Sequence, residues 1–239
     1  LAKNRRLTRA EVKKERADLG VVFDGDGDRC IFIDDRANFV DPYYINCLLG
    51  KIAVEKFGQI NVAIDARLTQ GISQVITGAG GRPIISRAGY ANVVKLMREK
   101  KILFGCENSG HYFFNFRLAN RKNRNYIFGD AIIPILLILE YLQDHDLKLA
   151  EAVAPFIKSH PISGEINLAK VDFAKVAKRL KNKYPSLSSS EIDGLSIYNT
   201  DWFFNIRPSK TEPLVRLNIE AKDRKTLSGV KKKLQKIIK

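Results

Sequence analysis

The chain has 239 residues, 45% apolar and 28% charged, which excludes a disordered tail and allows one large domain or two ordinary ones. Its formal net charge of +15 points first to a polyanion partner. The distribution argues against so simple a reading: residues 1–20 carry 7 basic and 3 acidic groups, residues 21–159 carry 17 and 15, and residues 160–239 carry 17 and 8.

Residues 3–17 are strongly charged and read as an exposed helix or a loose arm. Leu19–Phe23 is an apolar strand, Asp24–Arg29 an acidic glycine-rich loop and Cys30–Ile33 a second strand. A helix is expected over Tyr43–Phe57. Strand and helix signals then alternate: strand Ile60–Ile64, helix Thr69–Thr77, a break at Ala79-Gly80-Gly81, strand Pro83–Ser86, helix Ala91–Lys100, strand Ile102–Cys106. Tyr112–Phe116 has strand character and Ala131–Gln143 a helical pattern. This alternation predicts an α/β domain with a mixed, largely parallel sheet and helices on both faces. After Ser159-His160-Pro161 the order changes. Strand Ile162–Leu168, helix Phe173–Asn182, a polar loop Ser186–Ser190, strands Leu195–Tyr198, Trp202–Ile206 and Leu214–Ile219, and a Lys-rich helix Asp223–Ile238 predict a small α+β domain with an antiparallel sheet.

Cys30, Cys47 and Cys106 are too few and too scattered for a disulfide framework or a zinc site, and read as buried reduced thiols. No N-terminal stretch reads as a signal peptide. The longest apolar run, Ala131 to Leu139 with Pro134 inside it, falls short of the ~20 residues that span a bilayer. A cytoplasmic protein without a membrane partner is the expectation.

Three segments carry candidate chemistry. Asp24-Gly25-Asp26-Gly27-Asp28 sets carboxylates at alternate positions of a turn that its glycines let curl tightly, which gathers oxygen ligands for a hard cation. It is not an EF-hand loop, because the sixth and twelfth places hold Arg29 and Asp35 where Gly and Glu are required. Gly105-Cys106-Glu107-Asn108-Ser109-Gly110-His111 follows a strand, where α/β sheets bind ligands. It offers acceptors, a hydroxyl and a titratable ring, as sugar hydroxyls require. Arg207-Pro208-Ser209-Lys210-Thr211-Glu212-Pro213 combines a guanidinium, hydroxyls, a lysine and backbone N–H groups, a set suited to a phosphate.

Together, and in this order, the three resemble the α-D-phosphohexomutase family, its phosphomannomutase/phosphoglucomutase branch most closely. That family carries a D-G-D-G-D-R metal loop, a G-E-x-S-G-H sugar loop and an R-x-S-N-T-E-P phosphate loop. The resemblance spans nearly the whole chain. It implies that residues 1–38 correspond to the end of the second of four family domains, 39–157 to the third and 158–239 to the fourth. It also implies an isomerase that moves a phosphoryl group within a hexose phosphate through a 1,6-bisphosphate, with an enzyme phosphoserine as donor. Asp24, Asp26 and Asp28 would hold Mg²⁺, which neutralises charge on the transferring group. Arg29 would position that group, Glu107 and Ser109 would bind sugar hydroxyls, and His111 and Arg87 would act nearby. Arg207, Ser209 and Thr211 would grip the other phosphate of a mannose or glucose phosphate, with Lys210 beside them.

The chain departs from the family pattern in three places. No T-A-S-H-N-P motif, the family's phosphoserine segment, is present. Ser159-His160-Pro161 lacks the Asn and reads as a linker. The expectation is the C-terminal part of a mutase, inactive without its nucleophile domain. Arg87-Ala88-Gly89-Tyr90 stands where many members have Lys-x-Gly-His. Arg keeps the charge but titrates too high for a general base, and Tyr replaces an imidazole that would titrate near neutrality. Lys210 replaces the usual Asn. An alternative reading is a non-catalytic sugar-phosphate-binding module derived from a mutase. A nucleic-acid partner is not expected, because no basic stripe interleaved with aromatic residues accompanies the charge.

Overall fold

A computed structural model describes residues 2–117, 125–209 and 211–238. The chain divides into two compact units, residues 1–65 with 72–155, and residues 66–71 with 156–239.

The first unit opens with α1 (Ala2–Glu15), then β1 (Leu19–Phe23) and β2 (Cys30–Asp34). The two strands form an antiparallel hairpin with Phe23 opposite Cys30, so the acidic loop is its tip. One face of α1 packs on this hairpin: Val12 clusters with Ile33 and Ala37. The helix comes so close that a Cβ on Gly20 would lie 2.6 Å from the Val12 side chain.

Next come α2 (Pro42–Phe57), β3 (Asn61–Asp65), α3 (Gln70–Gly78), β4 (Arg82–Ser86), α4 (Tyr90–Lys100), β5 (Phe104–Cys106), β6 (Tyr112–Arg117), β7 (Asn125–Gly129), α5 (Ile133–Asp144) and α6 (Leu149–Ser159). Asp41 caps α2 through the Tyr43 N–H, and Pro42 occupies its first turn, where no donor is needed. Twelve of its sixteen residues are buried, so α2 is a core helix rather than a one-sided surface one. The sheet order is β4-β3-β5-β6-β7. Pairing is parallel for β3 with β4 and β5, and antiparallel for β5 with β6 and β6 with β7. The expected mixed α/β sheet is therefore present, with its parallel pairing confined to three strands. Val93 and Met97 of α4 pack with Ala63, Ile102 and Phe113.

In the second unit, β8 (Ile166–Ala169), α7 (Phe173–Lys183), β9 (Ser188–Ser190), β10 (Leu195–Tyr198), β11 (Trp202–Pro208), β12 (Leu214–Ala221) and α8 (Arg224–Ile238) follow. The sheet β8-β12-β11-β10-β9 is antiparallel throughout, as expected. Phe204 and Ile206 of β11 and Val215, Leu217 and Ile219 of β12 pack with Val176, Leu180, Val230 and Leu234 of the helices. With a side-chain period of two, Asn205, Arg207 and Arg216 take the other face.

Four elements differ from expectation. Residues 188–190, read as a polar loop, are an edge strand, because β10 offers them backbone partners. The strand expected over 162–168 is confined to Ile166–Ala169. β7 and α6 had no counterpart in the sequence reading.

Candidate functional site

In the first unit the acidic tip and the Glu107–His111 loop are stitched together by backbone. Cys30 N–H donates to Gly110 O at 3.1 Å, and Arg29 and His111 form an antiparallel bridge. The close approach requires glycine: Gly110 has φ +87°, and a Cβ there would lie 3.0 Å from Cys30 O.

Oxygen atoms of Asp24, Asp26 and Asp28 all lie within 4.8 Å of one another. Gly27 turns the loop at φ +74°. Three carboxylates at this spacing suit a hard cation such as Mg²⁺. Arg29 closes the loop: its backbone N–H donates to Asp24 Oδ1 at 3.2 Å and its Nε pairs with Asp24 Oδ2. Burial alone would push the Asp24 carboxyl up, but the hydrogen bonds and charge of Arg29 outweigh it and leave it below the usual aspartate value.

His111 joins the two loops. Its Nε2 lies 3.1 Å from Asp28 Oδ2, and its Nδ1 lies 2.9 Å from Ser109 Oγ and 3.5 Å from Glu107 Oε2. With Nε2–H donated to Asp28, Nδ1 accepts from the Ser109 hydroxyl. Glu107 is 2% exposed, and its Oε1 accepts the Gly89 N–H at the head of α4. Asn108 is held by Asp65 and Asn46. Six predicted residues, Asp24, Asp26, Asp28, Arg29, Glu107 and Ser109, thus surround the His111 ring or the loop it touches. Arg87 is exposed. Tyr90, where the family has His, accepts the Gly129 N–H at 2.9 Å and stands edge-on to His111 and Phe113. It ties α4 to β7, a structural task within reach of a phenol.

In the second unit Arg207 ends β11 with its side chain 7% exposed. It lies 3.7 Å from Glu165 and 3.9 Å from Asp193. Across the ladder Arg216 pairs with Glu165 at 3.2 Å and with Glu212 at 2.7 Å. Ser209 Oγ accepts the Thr211 and Glu212 N–H groups at 3.4 and 3.3 Å, which shapes the loop and leaves its own O–H to donate. Thr211 is exposed. Lys210 lies outside the described residues. Sequence reasoning missed Glu165, Asp193 and Arg216, and no local signal could have found them: each is buried or paired only through the sheet.

A mixed α/β unit with an acidic hairpin tip, followed by an antiparallel α+β unit with a basic strand end, is the class of fold the chain builds. A family model described as phosphoglucomutase/phosphomannomutase, alpha/beta/alpha domain III, matches residues 41–159, and one for the C-terminal domain of the same family matches residues 165–237. The chain belongs to the phosphoglucomutase/phosphomannomutase, or α-D-phosphohexomutase, family. It is 36% identical over 218 residues to a phosphomannomutase of Escherichia coli K12, covering 90% of this chain and 46% of that protein. A crystal structure of a phosphoglucomutase/phosphomannomutase family protein from Burkholderia thailandensis superposes with a TM-score of 0.80 at 24% identity, covering 98% of this chain and 49% of the other. An Aspergillus fumigatus N-acetylphosphoglucosamine mutase, solved with GlcNAc-6P and magnesium, shares the fold at TM-score 0.63 and 17% identity, covering 92% of this chain and 52% of the other. The chain spans about half the length of the curated relatives it matches. Among the described residues no helix is long and apolar enough to cross a membrane.

Proposed function

We propose that the chain contributes the metal, sugar and distal-phosphate contacts of a phosphomannomutase/phosphoglucomutase, which moves a phosphoryl group between the 1- and 6-positions of a cytoplasmic hexose phosphate through a 1,6-bisphosphate. The observation that carries this reading is the joining of Asp28, His111, Ser109 and Glu107 directly beside the three-carboxylate tip. Asp24, Asp26 and Asp28 would hold Mg²⁺, and when bound the ion supplies charge neutralisation for the transferring phosphoryl group. Arg29, fixed by Asp24, would orient a phosphoryl oxygen. Ser109 and Glu107 would take sugar hydroxyls. His111 would hold a proton on Nε2, shared with Asp28, and exchange the other through Ser109. Arg207, kept in place by Glu165 and Asp193, would supply a charge-assisted contact to the phosphate that is not reacting, with Ser209 and Thr211 beside it. Arg87 would add charge near the sugar loop without acting as a base.

The 239 residues hold no T-A-S-H-N-P segment, so we expect them to lack mutase activity by themselves. The test is paired. Calorimetric titration with glucose 1-phosphate or mannose 1-phosphate in the presence of Mg²⁺ is expected to show saturable binding that Thr211→Glu removes. A coupled assay is expected to show no turnover of glucose 1-phosphate to glucose 6-phosphate. Absence of binding, or turnover by the chain alone, overturns the reading.

A further inference from the structure

Helix α1 carries more charge than its packing on the hairpin requires. Its carboxylates, Glu11 and Glu15, both pair with Lys14 on one side of the helix, at 3.4 and 2.8 Å. Arg6, Arg9 and Lys13 fall at spacings of three and four residues, which places them together on another side, and Arg16 follows just past the end of the helix at φ +51°. Among the described residues none of these four has a carboxylate within ion-pair distance. Like charges gathered this closely repel each other, and an anion among them would relieve that.

All four are exposed. They line a cavity of about 670 Å³, whose far wall is formed by the turn after β2 and by Lys148. That volume lies within the range of small-ligand pockets. Ala10, Val12, Ala17 and Ala37 supply apolar lining. The two acidic residues at the cavity are already engaged: Asp18 pairs with Lys148, and Asp35 accepts the Ala150 N–H at 2.9 Å and lies 3.9 Å from Arg36 Nε. Arg9 is oriented, because its Nε donates to Ala37 O at 2.6 Å, which leaves its two terminal nitrogens for a ligand.

We propose that this cavity binds a small ligand bearing two or more linked phosphate groups, at a site separate from the sugar loop. Guanidinium groups match phosphate oxygens as planar forks. From Arg6 to Lys13 the helix rises about 10 Å and Arg16 lies beyond its end, a span longer than one phosphate bridges, so linked phosphates match the row better than a single one. The turn after β2 and Lys148 bound the groove on one side, and its limited volume favours a compact ligand over a polymer.

The probe is inorganic tripolyphosphate, titrated calorimetrically into the 239-residue chain at low salt, with orthophosphate and a single-stranded DNA oligomer in parallel. One-to-one binding of tripolyphosphate is expected, at least tenfold tighter than orthophosphate. Arg6→Gln/Lys13→Gln, two exposed positions that leave the Arg9 bond to Ala37 intact, is expected to weaken it at least tenfold with unchanged far-UV circular dichroism. Thr211→Glu, which disables the phosphate loop, is expected to change it less than twofold, whereas hexose phosphate binding should respond in the opposite sense to the two variants. The proposal is overturned if tripolyphosphate binding follows Thr211→Glu rather than the helix variant, if orthophosphate binds equally well, or if the oligomer binds more tightly than tripolyphosphate and loses its affinity in the same helix variant.

Discussion

At the hairpin tip of the first unit, three carboxylates converge with Arg29 as their close counter-charge; the Asp24 side chain is buried against it, whereas Asp26 is exposed and Asp28 half-buried. At the strand end of the second unit the signs are reversed: Arg207 is a buried guanidinium lying near Glu165 and Asp193. The tip carries surplus negative charge that a cation relieves. The strand end carries a cation whose direction is set by acids behind it, so that a phosphate would meet an oriented group. A metal-binding loop tolerates exposure because the ion organises it, whereas a lone anion contact gains from burial, where the interaction is less screened.

This contrast can be broken at several points. The largest effect is expected from Arg207→Ala. It removes the buried cation beside Asp193, while Glu165 keeps Arg216, and should destabilise the second unit by about 3 kcal/mol, read as a lower urea midpoint for the antiparallel unit. Gly110→Ala follows. The new Cβ meets Cys30 O in a backbone region that disfavours side chains, at a cost of about 2 kcal/mol. It should also loosen the link between tip and sugar loop, visible as lost protection of the Cys30 amide in hydrogen exchange. Asp26→Asn removes one exposed ligand and no packing. Mg²⁺ affinity should fall at least tenfold, about 1.4 kcal/mol, with thermal stability in EDTA unchanged.

The smallest effect concerns pH. Asp24 titrates below the ordinary aspartate value of about 3.9, so its stabilising contribution is complete above that value and is lost as pH falls through the lower folded one. In Arg29→Gln the Asp24 carboxyl resonance should titrate at higher pH, and the acid limb of unfolding should move up with it.

The parts of this site that were legible in the sequence are those contained in a short stretch of chain. The tip reads directly because its three carboxylates sit at alternate positions of one turn, and the antiparallel unit reads from its period-two strands. The His111 contact to Asp28 spans 83 residues, and the grip of Asp193 and Glu165 on Arg207 exists only once the sheet has formed, so neither has a local signature. The missed elements have equally physical causes. β9 is three serines without an apolar pattern and owes its conformation to β10. β7 exists by pairing with β6. α6 contains Pro155, which reads as a break although the helix continues through it.

The most direct test is a two-by-two calorimetric experiment, with Mg²⁺ and glucose 1-phosphate titrated separately into Asp26→Asn and Thr211→Glu. The account predicts a crossed result: Asp26→Asn loses Mg²⁺ but keeps the sugar phosphate contact of the basic loop, and Thr211→Glu loses the sugar phosphate but keeps Mg²⁺. Mg²⁺ binding that is indifferent to Asp26→Asn, or sugar phosphate binding that is indifferent to Thr211→Glu, would contradict it.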